Sequence, residues 1–582
     1  MTSGPTAAPW RPALTVSGTS WAISLACVLA GAGLFFLLRW AQPIQGLGNH
    51  DIAGIAYGAD LLLRGELPYL DSIELKTPGS FYLVAAAWLL AGRSAAVLHG
   101  ACTLWIFLGA GALFAAAYTT YQDRDHPRSR EVAIRCGGLA AGIYLASSGQ
   151  WDSNYTTWMM PPYAAAYAAL MAGLRQDRFG AHLLAGGFAG LAYLFKNHAA
   201  VIVAVAGCAW IWARRRGEPG ARAKAWLGWA LGAAAALLPI SAHYLAQGAW
   251  PDLIAGLFPL AKYSDYAQRV DQTPGLVAAY RLLAQLLERF PAEFCWGLGT
   301  LGLALWVGYR QSRRSSPPDA RVRIEPLAPT LAFLVLSISA GGLGGLRYYD
   351  HYAAQYLPGF ALLAAHPALW RWASAWLRDQ GTRWFRQPVA VANQPPGSAS
   401  LGPVALAVLL TGAILGAQRL EQIFAGTQRV AFPAGTSLEQ AGRYIQDRSA
   451  PTDTLQCWGW GAWPVYFWAN RHAPGRLYKE LGAVTRFNFN SDILNPPDPA
   501  QARLDWKPGP IADQLLGDFQ TKPPAFLVRA RPFFPGIHND PLDESGPLAA
   551  WIAHHYRQVA TFDGLDIYQY QVRPALTGGP VP

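Results

Sequence analysis

The chain has 582 residues, of which 52% are hydrophobic and only 14% are charged. Soluble domains carry roughly 25% charged residues, so this composition argues against a soluble globular protein and for an integral membrane protein. The formal net charge is +11, but the basic residues cluster in short loops between apolar runs, which fits membrane orientation better than a nucleic-acid-binding face.

Apolar runs recur throughout the first 420 residues, and many approach the ~20 residues that a helix needs to span a bilayer. The first run follows a long Pro-rich start, so we interpret it as an anchor that stays in the membrane and not as a cleaved signal. We predict spans at about 20–40, 95–120, 136–150, 161–174, 181–195, 198–213, 225–243, 292–309, 327–345, 352–369 and 402–418. The run at 79–92 either spans the membrane or forms a helix that lies at its interface.

Arginine and lysine residues mark one side of these runs. They cluster in five loops, at 124–135, 175–178, 214–224, 310–323 and 371–386. The positive-inside rule places these loops in the cytoplasm. If 79–92 does not cross, or crosses and returns, the chain has about eleven spans with a cytoplasmic N-terminus, and its C-terminal part lies outside.

Residues 420–582 are more polar than the rest and have a mixed pattern. The segments "DTLQCWGWGAWPVYFWANR" and "PPAFLVRA" are typical of short buried strands, with helices between them. We therefore predict two domains, a transmembrane domain at 1–419 and a small extracytoplasmic α/β domain at 420–582. The six cysteines show neither a disulfide framework nor a metal-binding spacing.

The stretch "GNHDIAGIAYGADLLLRGELPYLDSIELKTPG" follows the first span and therefore lies on the outer side. Asn49 could cap a helix, and the apolar residues after it recur at helical spacing, so we predict a helix on the membrane surface. Asp51 falls in its first turn, where the positive end of the helix favours an ionised carboxylate. Asp51 is either a general base or only a cap of this helix.

Two further outer positions carry charge beside an apolar run. Asp71, Glu74 and Lys76 lie together in "LPYLDSIELKTPG". The lysine could hold an anionic group, or the three residues could form local ion pairs worth ~0–1 kcal/mol. Lys196 stands between two predicted spans, where a charge is costly at depth and tolerable at the interface. It either has a functional role or extends its ammonium to the interface as an ordinary turn lysine.

The stretch "GGLRYYDHYAAQYLPGF" is dense in polar and aromatic residues and enters a predicted span. An aromatic belt at the interface explains its tyrosines. The belt does not explain the other polar residues among them, which are Arg347, Asp350, His351 and Gln355. Because arginine and histidine are natural phosphate partners, this cluster favours a binding function.

Motifs of several enzyme classes do not occur in the sequence, namely the P-loop, the dinucleotide-binding GxGxxG after a strand, HExxH and GxSxG. A transporter of a lipid-linked saccharide is one alternative. Transporters usually bind their substrate near the membrane midplane and contain internal repeats, whereas the charged residues here lie at one interface and no internal repeat is evident. A polysaccharide ligase or polymerase of similar topology is another alternative.

Taken together, these residues resemble motifs of the GT-C-type integral membrane glycosyltransferases, in the bacterial branch related to protein O-mannosyltransferases and the lipid A aminoarabinose transferase. The pattern D-x-x-x-x-x-Y, then G-x-x-P-Y-x-D, then K-x-P matches Asp51, Tyr57, Gly65, Pro68, Tyr69, Asp71, Lys76 and Pro78. G-L-A-x-x-x-K matches Gly190, Leu191, Ala192 and Lys196. R-x-Y-x-H-Y-x-x-Q-x-x-P matches Arg347, Tyr349, His351, Tyr352, Gln355 and Pro358. "WGWGAWPVYFWANRHAPGR" resembles the family's outer-domain segment.

The sequence departs from the family pattern at two places. Many relatives carry two prolines after the lysine, whereas this chain reads Lys76-Thr77-Pro78. Glu74 stands where relatives often have aspartate, so the roles of Asp71 and Glu74 are not separated here.

The resemblance implies a polytopic α-helical, GT-C-like fold with 1–419 as the catalytic domain. It implies an inverting transfer of a sugar from a polyprenyl-phosphate donor to an acceptor hydroxyl. Asp51 is then the base, and the other catalytic candidates are Asp71 and Glu74. The expected ligands of the donor phosphate are Lys76, Lys196, Arg347 and His351. Further substrate contacts are expected from Tyr57, Tyr69, Tyr349, Tyr352 and Gln355.

The resemblance also implies a place in the bacterial inner membrane, with the C-terminal domain in the periplasm. The expected partners are the lipid-linked donor, membrane lipids and an acceptor that is a glycan, a glycolipid or a protein, and not nucleic acid. We expect no cofactor and no obligatory metal, because a lipid monophosphate leaving group needs a metal less than a nucleotide diphosphate does. Positive side chains would stabilise its charge instead.

Overall fold

The computed structural model describes residues 17–41, 46–47, 50–74, 76–122, 127–149, 151–176, 178–197, 207, 219–258, 279–280, 282–284, 286–287, 294–295, 297–299, 301, 327–342, 350–367, 435–479, 504–533 and 539–571. Among the described residues before 368, every regular element is a helix. A small sheet follows in the C-terminal part.

The helices of this part comprise the predicted apolar spans that lie within the described residues, together with other segments between those spans. These are α1 (Gly18–Ala41), α2 (His50–Leu63), α3 (Gly79–Ala91), α4 (Ala95–Tyr121), α5 (Pro127–Ser148), α6 (Tyr155–Gln176), α7 (Phe179–Phe195), α8 (Pro219–Ala246), α9 (Trp250–Leu257), α10 (Leu327–Gly342), a 3₁₀ helix (Asp350–Tyr356) and α11 (Leu357–Ala364). Three of the described helices are long and apolar enough to cross a membrane, at Gly18–Arg39, Ala95–Tyr121 and Pro219–Ala246. The spans predicted at 198–213, 292–309 and 402–418 lie largely outside the described residues.

Close backbone approaches at glycines fix the direction of α1 relative to α5. Gly138 lies against Ser24, and Gly142 lies against Cys27 one turn further along both helices. A Cβ on Gly142 would come within 2.4 Å of the Cys27 carbonyl oxygen, so glycine is required for this contact. The contacts advance in the same order on both helices, and α1 and α5 are therefore parallel.

α4 runs in the opposite direction. Gly109 in α4 lies against Tyr144 near the end of α5, whereas Phe114 lies against Gly137 nearer its start. This alternation agrees with the predicted order of crossings. One end of the bundle holds the last residues of α1, α5, α7 and α8 and the first residues of α4 and α6. We call this the upper end.

Side chains join the helices at the upper end. The ammonium nitrogen of Lys196, which follows α7, donates to Thr156 Oγ1 at the start of α6 over 2.5 Å. Tyr82 Oη in α3 is 2.7 Å from His243 Nδ1 near the end of α8. The upper end therefore gathers segments that are far apart in the sequence.

The spacing of apolar residues in α2 predicted a helix that lies on the membrane surface. In the structure α2 is instead buried on both faces. Every residue from Ile52 to Leu61 is buried. On one side Tyr57 stacks on Tyr478 of the C-terminal part, with ring centroids 4.0 Å apart. On the other side Gly58 lies against the Phe81 ring of α3. The amphipathic pattern missed this because the cover comes from residues about 400 positions away.

The C-terminal part is an α/β unit, as its pattern predicted. Its elements are α12 (Gly435–Gln446), β1 (Leu455–Trp458), α13 (Pro464–Ala469), α14 (Pro510–Thr521), β2 (Phe526–Ala530), α15 (Pro547–His555), β3 (Tyr556–Phe562) and β4 (Leu565–Tyr570). The sheet order is β1-β2-β4-β3, in which β1 and β2 are parallel and the other pairs are antiparallel. The remainder of the aromatic segment after β1 turns into a short 3₁₀ helix and α13, with a proline at the start of α13.

One continuous hydrophobic core joins the first loop to the C-terminal part. It contains Ile52 and Phe81 from the loop region as well as Val465 and Phe526 from the α/β unit. The predicted boundary between 419 and 420 lies outside the described residues. The two predicted domains therefore share a packed interface at the upper end.

Candidate active site

Asp51 lies in the first turn of α2 and is half-buried. Its carboxylate acts electrostatically on its neighbour His50 and on groups from two other places in the fold. Burial lowers the pKa of His50, and Asp51 opposes that shift. Asp51 also raises the pKa values of Asp152 and Lys196. Asp51 is therefore surrounded by titratable groups at the upper end, and its helix start favours the carboxylate form.

Lys196 follows the last residue of α7 and is only 4% exposed. Its ammonium nitrogen bonds Thr156 Oγ1 and lies 3.8 Å from the Tyr352 ring centroid. Burial lowers the pKa of Lys196 well below its usual value, Lys76 lowers it further, and Asp51 raises it. The threonine hydroxyl and the tyrosine ring are both neutral groups, so a bound anion would offset the cost of burying this charge.

Lys76 is half-buried in the loop before α3, and its ammonium nitrogen lies 5.5 Å from the Tyr155 ring centroid. Gly79 sets the distance from this loop to the end of α7. A Cβ there would lie 2.7 Å from the Leu194 carbonyl oxygen, which no other residue type could accommodate without a shift. The loop that contains Lys76 is thereby held beside the end of α7. In agreement with this placement, Lys76 adds to burial in lowering the pKa of Lys196.

Glu74 is 2% exposed, and both of its carboxylate oxygens are occupied. Oε2 accepts from the Lys479 ammonium nitrogen and from the Tyr478 hydroxyl, each over 2.5 Å. Oε1 accepts from the backbone N–H of Lys76 over 3.1 Å. Glu74 therefore joins the loop of Lys76 to the C-terminal part.

Asp71 and Tyr69 shape the same loop. The backbone N–H of Leu67 donates to Asp71 Oδ2 over 2.7 Å, and the N–H of Asp71 donates back to the Leu67 carbonyl over 2.8 Å. Tyr69 has a φ of 72° and donates its hydroxyl to the Lys76 carbonyl over 2.6 Å. Both side chains thus hold the backbone that carries Lys76.

Tyr57 contacts the C-terminal part. Its hydroxyl accepts from the backbone N–H of Ala473 over 3.2 Å, and its ring stacks on Tyr478. Tyr57 therefore connects α2 to the segment that precedes Lys479.

The second predicted cluster is described only in part. Gln355 is fully buried and donates its amide to the Ser337 carbonyl of α10 over 3.0 Å. Arg347 and Tyr349 lie outside the described residues, as does the side chain of His351. Tyr352 is the member of this cluster that the structure brings against Lys196.

Asp152 is a site residue that the sequence interpretation missed. Burial raises its pKa to about 6; the Asn154 side chain lowers it, and Asp51 raises it. The signal was present in the sequence, since Asp152 is the charged residue of the short outer loop "WDSNYTTWMM". It brings a second carboxyl group into the surroundings of Asp51.

Lys479 is the other missed residue, and no local pattern marks it. Gly54 lies three residues after Asp51, on the same face of α2. A Cβ on Gly54 would lie 2.9 Å from the Lys479 nitrogen and 3.3 Å from the Tyr155 hydroxyl. The face of α2 that carries Asp51 is thus covered by an ammonium and a phenol from two distant segments.

Within the described residues, no group of three or more His, Cys, Asp or Glu side chains comes together as a metal site. The arrangement places the Lys196 ammonium within electrostatic reach of a second ammonium group, that of Lys76, and of the Asp51 carboxylate. Such a set can take a proton from a hydroxyl and stabilise an anion that develops beside it.

No protein-family model matches this sequence, and no curated protein matches it. Solved structures do match. ArnT from Cupriavidus metallidurans bound to undecaprenyl phosphate is 13% identical, over 97% of this chain and 100% of that chain, with a TM-score of 0.53. Its apo state is 15% identical over 94% and 98% of the two chains, with a TM-score of 0.51. The Archaeoglobus fulgidus oligosaccharyltransferase AglB, in complex with an inhibitory peptide and a dolichol-phosphate, is 13% identical over 88% and 69%, with a TM-score of 0.52. The chain has the GT-C fold, which confirms the fold that the sequence resemblance implied.

Proposed function

We propose that this protein is an inverting membrane glycosyltransferase that moves a sugar from a polyprenyl-phosphate donor to an acceptor hydroxyl. The observation that carries the proposal is the position of Lys196. Its ammonium is buried at the upper end, next to neutral partners, within electrostatic reach of both Lys76 and Asp51. This is the arrangement that a transferase needs for a phosphate leaving group beside a base.

The reaction assigns a separate task to each charge. The acceptor oxygen attacks the anomeric carbon while the bond from that carbon to the phosphate oxygen breaks, which inverts the anomeric centre. Asp51 takes the proton of the acceptor hydroxyl, and the polyprenyl phosphate leaves with the electron pair. Lys76 and Lys196 stabilise the growing phosphate charge, and Arg347 and His351 are proposed as further phosphate ligands.

Asp51 is a better base than the two other carboxylates of the first loop. Both Glu74 oxygens accept hydrogen bonds, one of them from an ammonium. One Asp71 oxygen closes a backbone turn. Asp51 stands in the first turn of α2, within electrostatic reach of Lys196, and the positive end of the helix favours its carboxylate form.

The solved structures support the choice of donor class. One was obtained with undecaprenyl phosphate and another with a dolichol-phosphate, so two neighbours of this fold hold a polyprenyl chain with one phosphate. We propose the same class for this chain, in the bacterial inner membrane with the upper end on the outer side. The acceptor is a glycan, a glycolipid or a protein.

The test is Asp51→Asn in the purified full-length protein, assayed with a labelled polyprenyl-phosphate sugar and an extract of cell-envelope acceptors. We expect transfer to be lost and the thermal unfolding midpoint to be unchanged. Asp513→Asn is the matched control, because Asp513 also lies in the first turn of a helix but is exposed in the α/β unit. Near-normal transfer by Asp51→Asn would remove Asp51 as the base.

A further inference from the structure

The ion pair between Glu74 and Lys479 joins two segments that are 405 residues apart. The nitrogen of Lys479 is 2.5 Å from Glu74 Oε2, and both side chains are more than nine-tenths buried. A buried pair of opposite charges needs accurate geometry to offset the loss of hydration. Because Glu74 also bonds the backbone of Lys76, this ion pair has a role beyond general stability.

The aromatic surroundings of Lys479 hold its ammonium in one place. The nitrogen lies 5.0 Å from the Trp463 ring centroid and 4.8 Å from that of Tyr478. Gly54 gives it room to approach α2, one helical turn from Asp51. Lys479 therefore lies between the helix of the proposed base and the loop of Lys76.

The chain around Lys479 is also fixed against the first loop. The backbone N–H of Ile73 donates to the Arg476 carbonyl over 2.8 Å, and Arg476 donates its guanidinium to the Tyr69 carbonyl. The N–H of Ala473 donates to Tyr57. Residues 473–479 thus contact both α2 and the loop that follows it.

Glu74 transmits this placement to the lysine loop. While Oε2 is held by Lys479, Oε1 accepts the backbone N–H of Lys76. The carboxylate therefore fixes the backbone of Lys76 through two bonds in series. No side chain other than Glu74 is needed to couple Lys479 to Lys76.

We propose that Lys479 is a positioning residue of the active site, supplied by the C-terminal part, which holds Glu74 and thereby directs Lys76 at the donor phosphate. This inference rests on the proposed function. It assigns a role to residues 473–479 that differs from acceptor recognition, since they complete the donor side of the site. The C-terminal part is then a component of the catalytic unit.

The experiment compares Lys479→Met, Lys479→Arg and the double variant Glu74→Gln/Lys479→Met in purified full-length protein. Arg64→Ala is the control, because Arg64 joins the same two segments through Asn470 at an exposed position. The measurements are kcat and KM for the polyprenyl-phosphate sugar, KM for the acceptor, and the thermal unfolding midpoint.

We expect Lys479→Met to lower kcat/KM for the donor by up to about 100-fold, the loss that a displacement of ~1 Å can cause. KM for the acceptor stays unchanged, and Lys479→Arg restores a large part of the activity. The double variant loses no more than Lys479→Met, because the two residues act as one unit. It carries no unpaired buried charge, so it tests the proposal even if Lys479→Met does not fold.

A folded double variant with wild-type kcat/KM for the donor overturns the inference. The inference is also overturned if Lys479→Met behaves like Arg64→Ala, that is, if it yields fewer active molecules with an unchanged KM for the donor. A wild-type protein without transfer overturns the proposed function itself. These results are distinguishable because the first two require an active wild-type enzyme.

Discussion

The ammonium nitrogen of Lys196 lies 3.8 Å from the ring centroid of Tyr352, and both side chains are buried. A ring face attracts a cation but does not neutralise it. Lys196 thus combines an unfavourable burial with a weak set of partners, an arrangement typical of a residue that is held for a ligand and not for stability.

Replacing Lys196 should therefore separate stability from activity. We expect Lys196→Met to raise the thermal unfolding midpoint, since the buried charge is removed. We expect affinity for polyprenyl phosphate to fall about 10- to 100-fold, because a hydrogen bond to a charged group contributes ~1.5–3 kcal/mol. Equilibrium binding of polyprenyl phosphate and a thermal scan measure the two effects. An ordinary turn lysine would show neither change.

Asp152 should make the free energy of unfolding fall as the pH rises through about 6. Its pKa is raised from 3.8 to about 6 in the folded protein. Between these values the folded state binds more protons than the unfolded state, so this carboxyl stabilises the fold at low pH and the contribution is lost as the pH rises through about 6. The difference in unfolding midpoint between wild type and Asp152→Asn, followed over that range, should change with pH. A constant difference contradicts the raised pKa.

Gly54 should not tolerate a methyl group. A Cβ there meets the Lys479 nitrogen at 2.9 Å and the Tyr155 hydroxyl at 3.3 Å. Gly54→Ala should displace Lys479 and lower transfer, by up to about 100-fold for a shift of ~1 Å. Gly100→Ala in α4 is the control, because its Cβ meets open space and alanine favours a helix by up to ~1 kcal/mol. Equal activities of the two variants would show that the space beside Lys479 is unimportant.

Arg93 should matter for stability and not for substrate binding. Its guanidinium makes a paired contact with Asp60 of α2, which is buried, and donates to the Phe467 carbonyl over 3.0 Å. Arg93→Met leaves the Asp60 carboxylate unpaired and should destabilise the fold by ~3–5 kcal/mol. KM for the donor should be unchanged in the folded fraction.

The control for Arg93 is Arg443→Met. Arg443 forms an exposed pair with Glu439 one helical turn earlier, and such pairs contribute ~0–1 kcal/mol. Chemical denaturation of the two variants gives the comparison. A similar small loss in both would contradict the assignment of Asp60 and Arg93 as a structural pair.

The helices and their alternating directions could be predicted because they depend on local composition, whereas the orientation in the membrane stays a prediction. An apolar run of sufficient length forms a helix in a membrane, and basic loops set its direction. The positions of Asp51 in a first turn and Lys196 after a helix end follow from the same local signals. Both positions agree with the structure.

The partners of these residues could not be predicted, because they depend on packing between distant segments. Glu74 was one of three acidic candidates in a loop, and nothing near it indicates that Lys479 occupies its carboxylate. The burial of α2 depends on Tyr478 and α13 in the same way. Asp152 had a visible signal, but its importance comes from the nearby Asp51, which spacing does not reveal.

The bond between Glu74 and Tyr478 also sets an order of events during synthesis. The two residues are 404 positions apart, so at ~5–20 residues per second the ribosome delivers the second one about 20 to 80 s after the first. Throughout that interval Glu74 and the loop that carries it lack their contact with Tyr478. A newly made chain therefore completes the proposed donor site as one of its last folding steps. A nascent chain interrupted before residue 478 carries Asp51, the proposed base, but lacks the contacts of Tyr478 and Lys479 with Glu74.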